Sequence, residues 1–280
     1  MVVFILFHGS GDNKYTWERN ESPFLRELKK LGSVYHYTAK YNNLIKYMAS
    51  VPEKIKKEFD DDINFDNDYL NIEKHCDIIF DDVTKRYPQE KIVIIAHSFG
   101  NLFAQTFAKL YKKYCLFLIA IDGMLLGKKY WLEFNKKFYA KQKIKISNKE
   151  LKKLQDDLTN HKYSDKKREK IANYLYNISY KIMNNYLATH NFEILAIPTI
   201  YFRNYELDDI KKEGKILVDF MYYQDKEISN YENKNKQFKA IYFINKTHNI
   251  HQNYDCVKII INTIKELLNK TFSFRSDKFI

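Results

Sequence analysis

Five apolar residues, Ile92–Ala96, run straight into His97, Ser98, Phe99 and Gly100, and apolar positions with helical spacing follow from Leu102 to Tyr111. A buried strand that turns without a linker into a helix forces a sharp bend at the junction. A serine at the apex of such a bend is thrust above the edge of the sheet, where its hydroxyl can act as a nucleophile. The geometry demands small residues two positions before and two after the serine, so that strand and helix pass closely. Ala96 and Gly100 occupy those positions, and the single methyl of Ala96 is small enough for the first. The helix beginning near Phe99 aims backbone N–H groups at the space above Ser98, which suits a developing oxyanion. The competing reading is an ordinary strand–turn–helix carrying a surface serine. Strand before and helix after favour the strained turn.

The remaining chain alternates in the same manner. Short apolar runs at Val2–Phe7, Val34–Tyr37, Leu116–Ile121, Thr199–Phe202 and Ala240–Ile244 predict further strands. Helical spacing is present in Pro23–Leu31, Ile72–Arg86 and Tyr254–Leu268. Strands alternating with helices predict a three-layer α/β/α architecture around a mostly parallel sheet, with functional residues at the carboxyl ends of the strands. Two stretches break the alternation. Lys40–Asp68 is polar and predicts a loop with a short helix. Gly123–Glu193 is long, with helical spacing at Leu151, Leu154 and Leu158 and again at Ile171, Leu175, Ile178 and Ile182. Residues 1–122 and 194–280 are therefore expected to form the core, and 123–193 a helical lid inserted into it. There are no internal repeats.

Two further segments carry chemistry. The first strand closes in His8, Gly9, Ser10 and Gly11, where glycines let the backbone curl and point an N–H at a substrate. Ser10 and Phe99 are the expected oxyanion donors. His8, Gly9 and His97 are expected to surround the substrate, although His97 on the bend should point its ring elsewhere and His8 also suits a structural role. After the last strand stand His248 and His251, ahead of the final helix. A histidine in that loop can reach over the sheet edge and take the serine proton as general base. His248 comes first after the strand and is preferred, with His251 packing beneath the loop or beginning the helix. The two do not make a metal pair, because no third ligand has sensible spacing. An acid between Ser98 and His248 in chain order is needed to orient the imidazole. Asp208, in the acidic loop after Thr199–Phe202, is the first choice, with Glu206, Asp209, Asp122 and Asp225 as alternatives.

Composition narrows the setting. The 280 residues include 45% hydrophobic types, enough for one sizeable core. The formal net charge of +12 comes from scattered lysines, many followed by acids, with no arginine-rich block. That pattern is a solvated surface and predicts no nucleic-acid partner, while leaving open weak contact with an anionic membrane surface. Three widely spaced cysteines, Cys76, Cys115 and Cys256, fit free thiols in a reducing compartment, with Cys115 and Cys256 expected to be buried. Met1–Phe7 is too short for a signal segment and no run approaches a membrane span, so a soluble, cytoplasmic protein is expected.

The ordered series of strand–His8-Gly9, strand–Ala96-His97-Ser98-Phe99-Gly100–helix, strand–Pro198-Thr199 with an acidic loop, and His248-Asn249-Ile250-His251 before an amphipathic helix resembles the α/β-hydrolase fold family over nearly the whole chain. The resemblance implies a serine hydrolase cleaving an ester or thioester of a small or lipid-like molecule through Ser98, His248 and an acid, without cofactor or metal. An acyltransferase on the same residues, or an inactive binding protein of the same fold, are its alternatives. It also implies a cap in 123–193. The chain departs from the family in three respects: the two leading antiparallel strands are expected to be lacking, Ala96 replaces the commoner glycine, and Asn204 stands where a glycine is usual, with the acid of its loop slightly displaced.

Overall fold

A computed structural model describes residues 1–9, 17, 22–37, 72–123, 196–205, 215–244, 246 and 248–276. The expected lid in 123–193, beyond Gly123 itself, and the loop over Lys40–Asp68 lie outside the described residues. Six strands form one sheet: β1 (Val2–Phe7), β2 (Ser33–Tyr37), β3 (Lys91–His97), β4 (Cys115–Ile121), β5 (Thr199–Tyr205) and β6 (Phe238–Ile244). Their order across the sheet is β2-β1-β3-β4-β5-β6, and every pairing is parallel. All six were legible as apolar runs, with ends displaced by up to three residues.

Parallel strands covered on both faces need apolar residues at consecutive positions, and the burial follows that rule. In β1, Val3, Ile5 and Phe7 enter one core while Val2, Phe4 and Leu6 enter the other. In β3, Ile92, Ile94 and Ala96 face the first, and Val93 and Ile95 the second. Helices α2 (Ile72–Arg86) and α3 (Gly100–Leu110) cover the first face through Ile72, Cys76, Ile79, Val83, Phe103 and Phe107. Helix α4 (Lys215–Lys234) joins them through Ile228. The second face is closed by α1 (Pro23–Lys29) and α5 (Tyr254–Ser276), with Val257, Ile260, Ile261 and Ile264 pointing inward. The start of α1 is written locally: Pro23 opens the helix, and the Ser22 hydroxyl accepts from the Leu25 N–H at 3.3 Å. Helix α4 has no counterpart in the sequence reading. From Gln224 onward it is mostly polar, so its inward stripe is too thin to show as a period.

Cys76 and Cys256 are buried, and Cys115 is only half-buried, against the expectation for that residue. The side chain of Cys115 begins β4 at the sheet's rim rather than within it. All three are free thiols. Burial pushes the Cys115 thiol up to about 12 and that of Cys76 well above its ordinary value, so neither is a thiolate at neutral pH. Among the described residues, no helix is long and apolar enough to cross a membrane.

The strand order reverses between β1 and β3. From β1 the chain moves to β2 on one side, then returns to build β3, β4, β5 and β6 on the other. Helices leaving neighbouring strands in opposite directions open a crevice at the carboxyl edge there. His8 and Gly9 end β1, and Ser98 ends β3, so the two segments flank the crevice.

Phe107 is fully buried, with its ring 6.0 Å from that of Phe7 and 4.9 Å from that of Tyr111. Phe107→Ala is expected to cost about 3–5 kcal/mol, because the rigid sheet cannot collapse into the vacated space. Urea unfolding should show a lower midpoint at an unchanged slope.

Candidate active site

Two non-glycine residues among those described have positive φ: Ser98 at 51° and Asp122 at 35°. Backbone in this region costs of order 1–3 kcal/mol and persists only where the surroundings enforce it. Both residues sit at carboxyl ends of adjacent strands, β3 and β4. At Ser98 the enforcing contacts are visible. The Ser98 N–H donates to the Ile121 carbonyl at 2.9 Å, and the Ser98 carbonyl accepts from the Asn101 Nδ2 at 2.9 Å. A methyl group on Gly100 would lie 2.6 Å from the carbonyl oxygens of Phe7 and His8, and one on Gly123 would lie 2.2 Å from the Ser98 carbonyl oxygen. No side chain larger than hydrogen fits at either position. Helix α3 starts immediately after the bend, and no side chain caps its N-terminus at Phe99. Of its first N–H groups, those of Asn101 and Leu102 donate to the Ser98 and Phe99 carbonyls at 3.2 and 3.1 Å, and Phe99, the residue expected to donate to an oxyanion, is the N-cap. Ser10, the other expected donor, lies outside the described residues.

The imidazole of His248 meets a carboxylate. Its Nδ1 is 2.9 Å from Asp122 Oδ2. A carboxylate only accepts, so Nδ1 carries a proton, and in the neutral ring Nε2 is the nitrogen with the lone pair. Asp122 is itself held: its N–H donates to the Phe202 carbonyl at 2.7 Å, and its Oδ1 accepts from the Asn204 N–H at 3.1 Å. Asp208, the first choice from the sequence, lies outside the described residues, as do Glu206 and Asp209. Asp225 lies on α4 and pairs with Arg203 Nε at 3.3 Å, not with His248. The carboxylate brought to His248 is the one at the end of β4. A signal for it exists in the chain: an apolar strand adjacent to the Ser98 strand closes in Asp122-Gly123, and only glycine there permits the close approach to Ser98.

The other histidines form a buried support. His97 is 1% exposed, and its Nε2 is 3.0 Å from the His248 carbonyl oxygen. Since a carbonyl only accepts, Nε2 holds the proton of a neutral ring. The His97 ring centroid is 4.7 Å from that of His248 and 4.5 Å from that of His251. His251 is fully buried beneath the loop, one of the two places expected for it, and its ring packs tilted against Trp17 with centroids 4.7 Å apart. Desolvation, then the nearby His251 and His248 rings, hold the His97 pKa well below the ordinary 6.5. His8 is also buried, and its Nδ1–H donates to the Gly9 carbonyl at 2.9 Å. Gly9 packs against the bend: a methyl group there would lie 3.1 Å from the Ser98 Cβ. Of the three residues expected around the substrate, His8 and His97 are thus turned into the protein interior.

Solved structures share this architecture. The RedJ thioesterase of prodiginine biosynthesis from Streptomyces coelicolor matches with a TM-score of 0.53 at 11% identity, over 95% of this chain and 90% of that one. A thermophilic esterase from Thermogutta terrifontis matches with a TM-score of 0.51 at 13% identity, over 96% and 90%. The peroxisomal α/β-hydrolase Lpx1 from Saccharomyces cerevisiae matches at 0.50 and 12%, over 96% and 78%. No family model matches the chain, and no curated protein sequence matches it. At these identities the likeness is one of fold.

The neutral His97 gives the protein a pH signature. The unfolded chain protonates this histidine near 6.5 and the folded protein does not, so stability is fully present above that pH and is lost as pH falls below it. His97→Gln keeps an amide donor for the His248 carbonyl without the titrating ring. Its melting temperature is expected to fall less than that of the wild type between pH 7 and pH 5, by calorimetry.

Proposed function

We propose that this chain, which has the α/β-hydrolase fold, is a serine hydrolase acting on an ester or thioester carbonyl, with Ser98 as nucleophile, His248 as base and Asp122 as the acid that orients it. The observation that carries this reading is the pairing of strain with contact. Among the described residues, the two non-glycine residues with positive φ are the serine on the bend and the carboxylate bonded to His248.

In this reading Ser98 Oγ attacks the carbonyl carbon while its proton passes to His248 Nε2, the nitrogen left unprotonated by the Nδ1–H bond to Asp122. The resulting oxyanion is held by the Phe99 N–H at the start of α3 and by the Ser10 N–H. Collapse of the tetrahedral intermediate breaks the bond to the leaving oxygen or sulfur, which takes the proton from His248. Water then attacks the acyl-enzyme, delivers a proton to His248, and the second collapse returns it to Ser98 as the acid departs. The imidazolium formed twice in each cycle is stabilised by Asp122. A charged His97 would oppose it: two cations with centroids 4.7 Å apart repel by about 3–4 kcal/mol at an effective dielectric near 20. Burial removes that opposition by keeping His97 neutral.

A fluorophosphonate probe, followed by mass mapping of the modified peptide, tests the assignment without knowledge of the substrate. The wild type is expected to be labelled at Ser98, and Ser98→Ala to take no label. Labelling confined to another residue would overturn the proposal. For the acid, Asp122→Asn is expected to slow labelling by roughly a thousandfold, since loss of such a carboxylate leaves the imidazole wrongly protonated. Asp208→Asn is expected to stay within a few-fold of the wild type. The opposite order would return the role to the loop after β5.

A further inference from the structure

His248 is 54% exposed at its side chain, so burial alone does not set its place. Its loop begins where β6 ends at Ile244, whose partner on β5 is Tyr205. Beyond that pair the strand ladder can no longer hold the chain. Ordering each further residue costs about 1–2 kcal/mol of backbone entropy, which must be offset locally.

Asn204 supplies an anchor. Its Nδ2 donates to the Lys246 carbonyl, and its Oδ1 accepts from the Lys246 N–H at 3.1 Å. The side-chain amide thus pairs with both backbone groups of one residue, as a neighbouring strand would, and extends the β5–β6 ladder two residues past its end. The same residue's backbone N–H donates to Asp122 Oδ1 at 3.1 Å. One buried residue therefore holds the carboxylate with its main chain and the histidine loop with its side chain. His97 grips the loop from the other side, at the His248 carbonyl.

We infer that Asn204 is a positioning residue that sets the distance between Asp122 and His248, an inference that rests on the serine-hydrolase reading above. The chemistry selects the residue type. The clamp needs a donor and an acceptor on separate atoms of one short side chain, which the asparagine amide provides; a hydroxyl offers both on a single atom, aspartate lacks the donor, and the glycine usual in the resembling family has neither. The departure at this position is what lets the carboxylate at the end of β4 serve a histidine beyond β6.

The test compares Asn204→Asp, Asn204→Ala and Lys246→Pro with the wild type. Asn204→Asp keeps the shape but sets an oxygen against the Lys246 carbonyl. Lys246→Pro removes the N–H that Asn204 accepts and leaves Asn204 itself untouched. The rate of fluorophosphonate labelling at Ser98 is expected to fall 10- to 100-fold in all three, with Asn204→Asp at least as slow as Asn204→Ala. The proton signal of the His248 Nδ1–H, sharp in the wild type by ¹⁵N-edited NMR, is expected to broaden in each. A role in filling space predicts instead that the isosteric Asn204→Asp labels like the wild type, and that result overturns the inference. So does wild-type labelling by Lys246→Pro, the variant that decides the matter if those at Asn204 fail to fold. A wild type that takes no label at all overturns the hydrolase reading, and this inference with it.

Discussion

Everything at the carboxyl edge of the sheet depends on how closely the bend at Ser98 is packed. Gly9, Gly100 and Gly123 come from three separate segments, and each meets the bend or the carbonyls beside it at a distance that leaves little or no room for a side chain. The left-handed backbone at Ser98 is held by bonds to Ile121 and Asn101, on the strand and helix that flank it. Interiors packed at crystal density do not relax to relieve one residue, so the strain at Ser98 is carried by β1, β4 and α3 together. The Asp122-Gly123 turn is part of the same packing. Its glycine rests on the Ser98 carbonyl, and its carboxylate reaches His248. Serine and acid are in this way positioned by one contact rather than by two independent loops.

The histidines extend this coupling. Four rings, His8, His97, His248 and His251, lie near the carboxyl ends of β1, β3 and β6, yet only His248 is substantially exposed. The buried three are better understood as a low-dielectric support. His97 cannot accept a proton at neutral pH, so it acts as a fixed donor to the His248 carbonyl and adds no competing charge. Trp17 and His251 fill the space behind it and exclude water. A support that exchanged protons with solvent would change its hydrogen bonds with pH and move the loop.

Much of this was legible before the structure. Uniform apolar runs bounded by polar residues are hard to mistake for anything but buried parallel strands, and all six were found. The bend at Ser98 was readable because strand, small residues and helix sit side by side in the chain. The preference for His248 over His251 followed from its place just beyond β6; the His248 side chain is about half exposed and bonded to Asp122, and that of His251 is buried. The carboxylate was legible only as an alternative, an acid closing the apolar strand before Gly123, and stood behind Asp208. The bond between Asp122 and His248 spans 126 positions and depends on how β4, β5 and β6 pair, which the local sequence does not rank. An acidic loop drew attention to Asp208 because several carboxylates stand there, whereas Asp122 is a single acid at a strand end. Helix α4 was missed for the opposite reason, since its buried stripe is too sparse to produce a period.

Two of the departures from the resembling family follow from the same physics. Ala96 faces the first core between Phe7 and Ala120, its nearest strand partners. One methyl there completes the apolar layer without touching the bend, so glycine is not required. Asn204 is a gain rather than a loss. A glycine at the end of β5 would free the backbone to turn toward an acid in the following loop. An asparagine instead keeps the strand straight through Tyr205, directs its N–H at Asp122 and its amide at Lys246. The carboxylate that meets His248 stands at the end of β4, and Asn204 on β5 bonds both to it and to the histidine loop. The reach of Asp122 to His248 and the identity of residue 204 are in this way parts of one hydrogen-bonded arrangement.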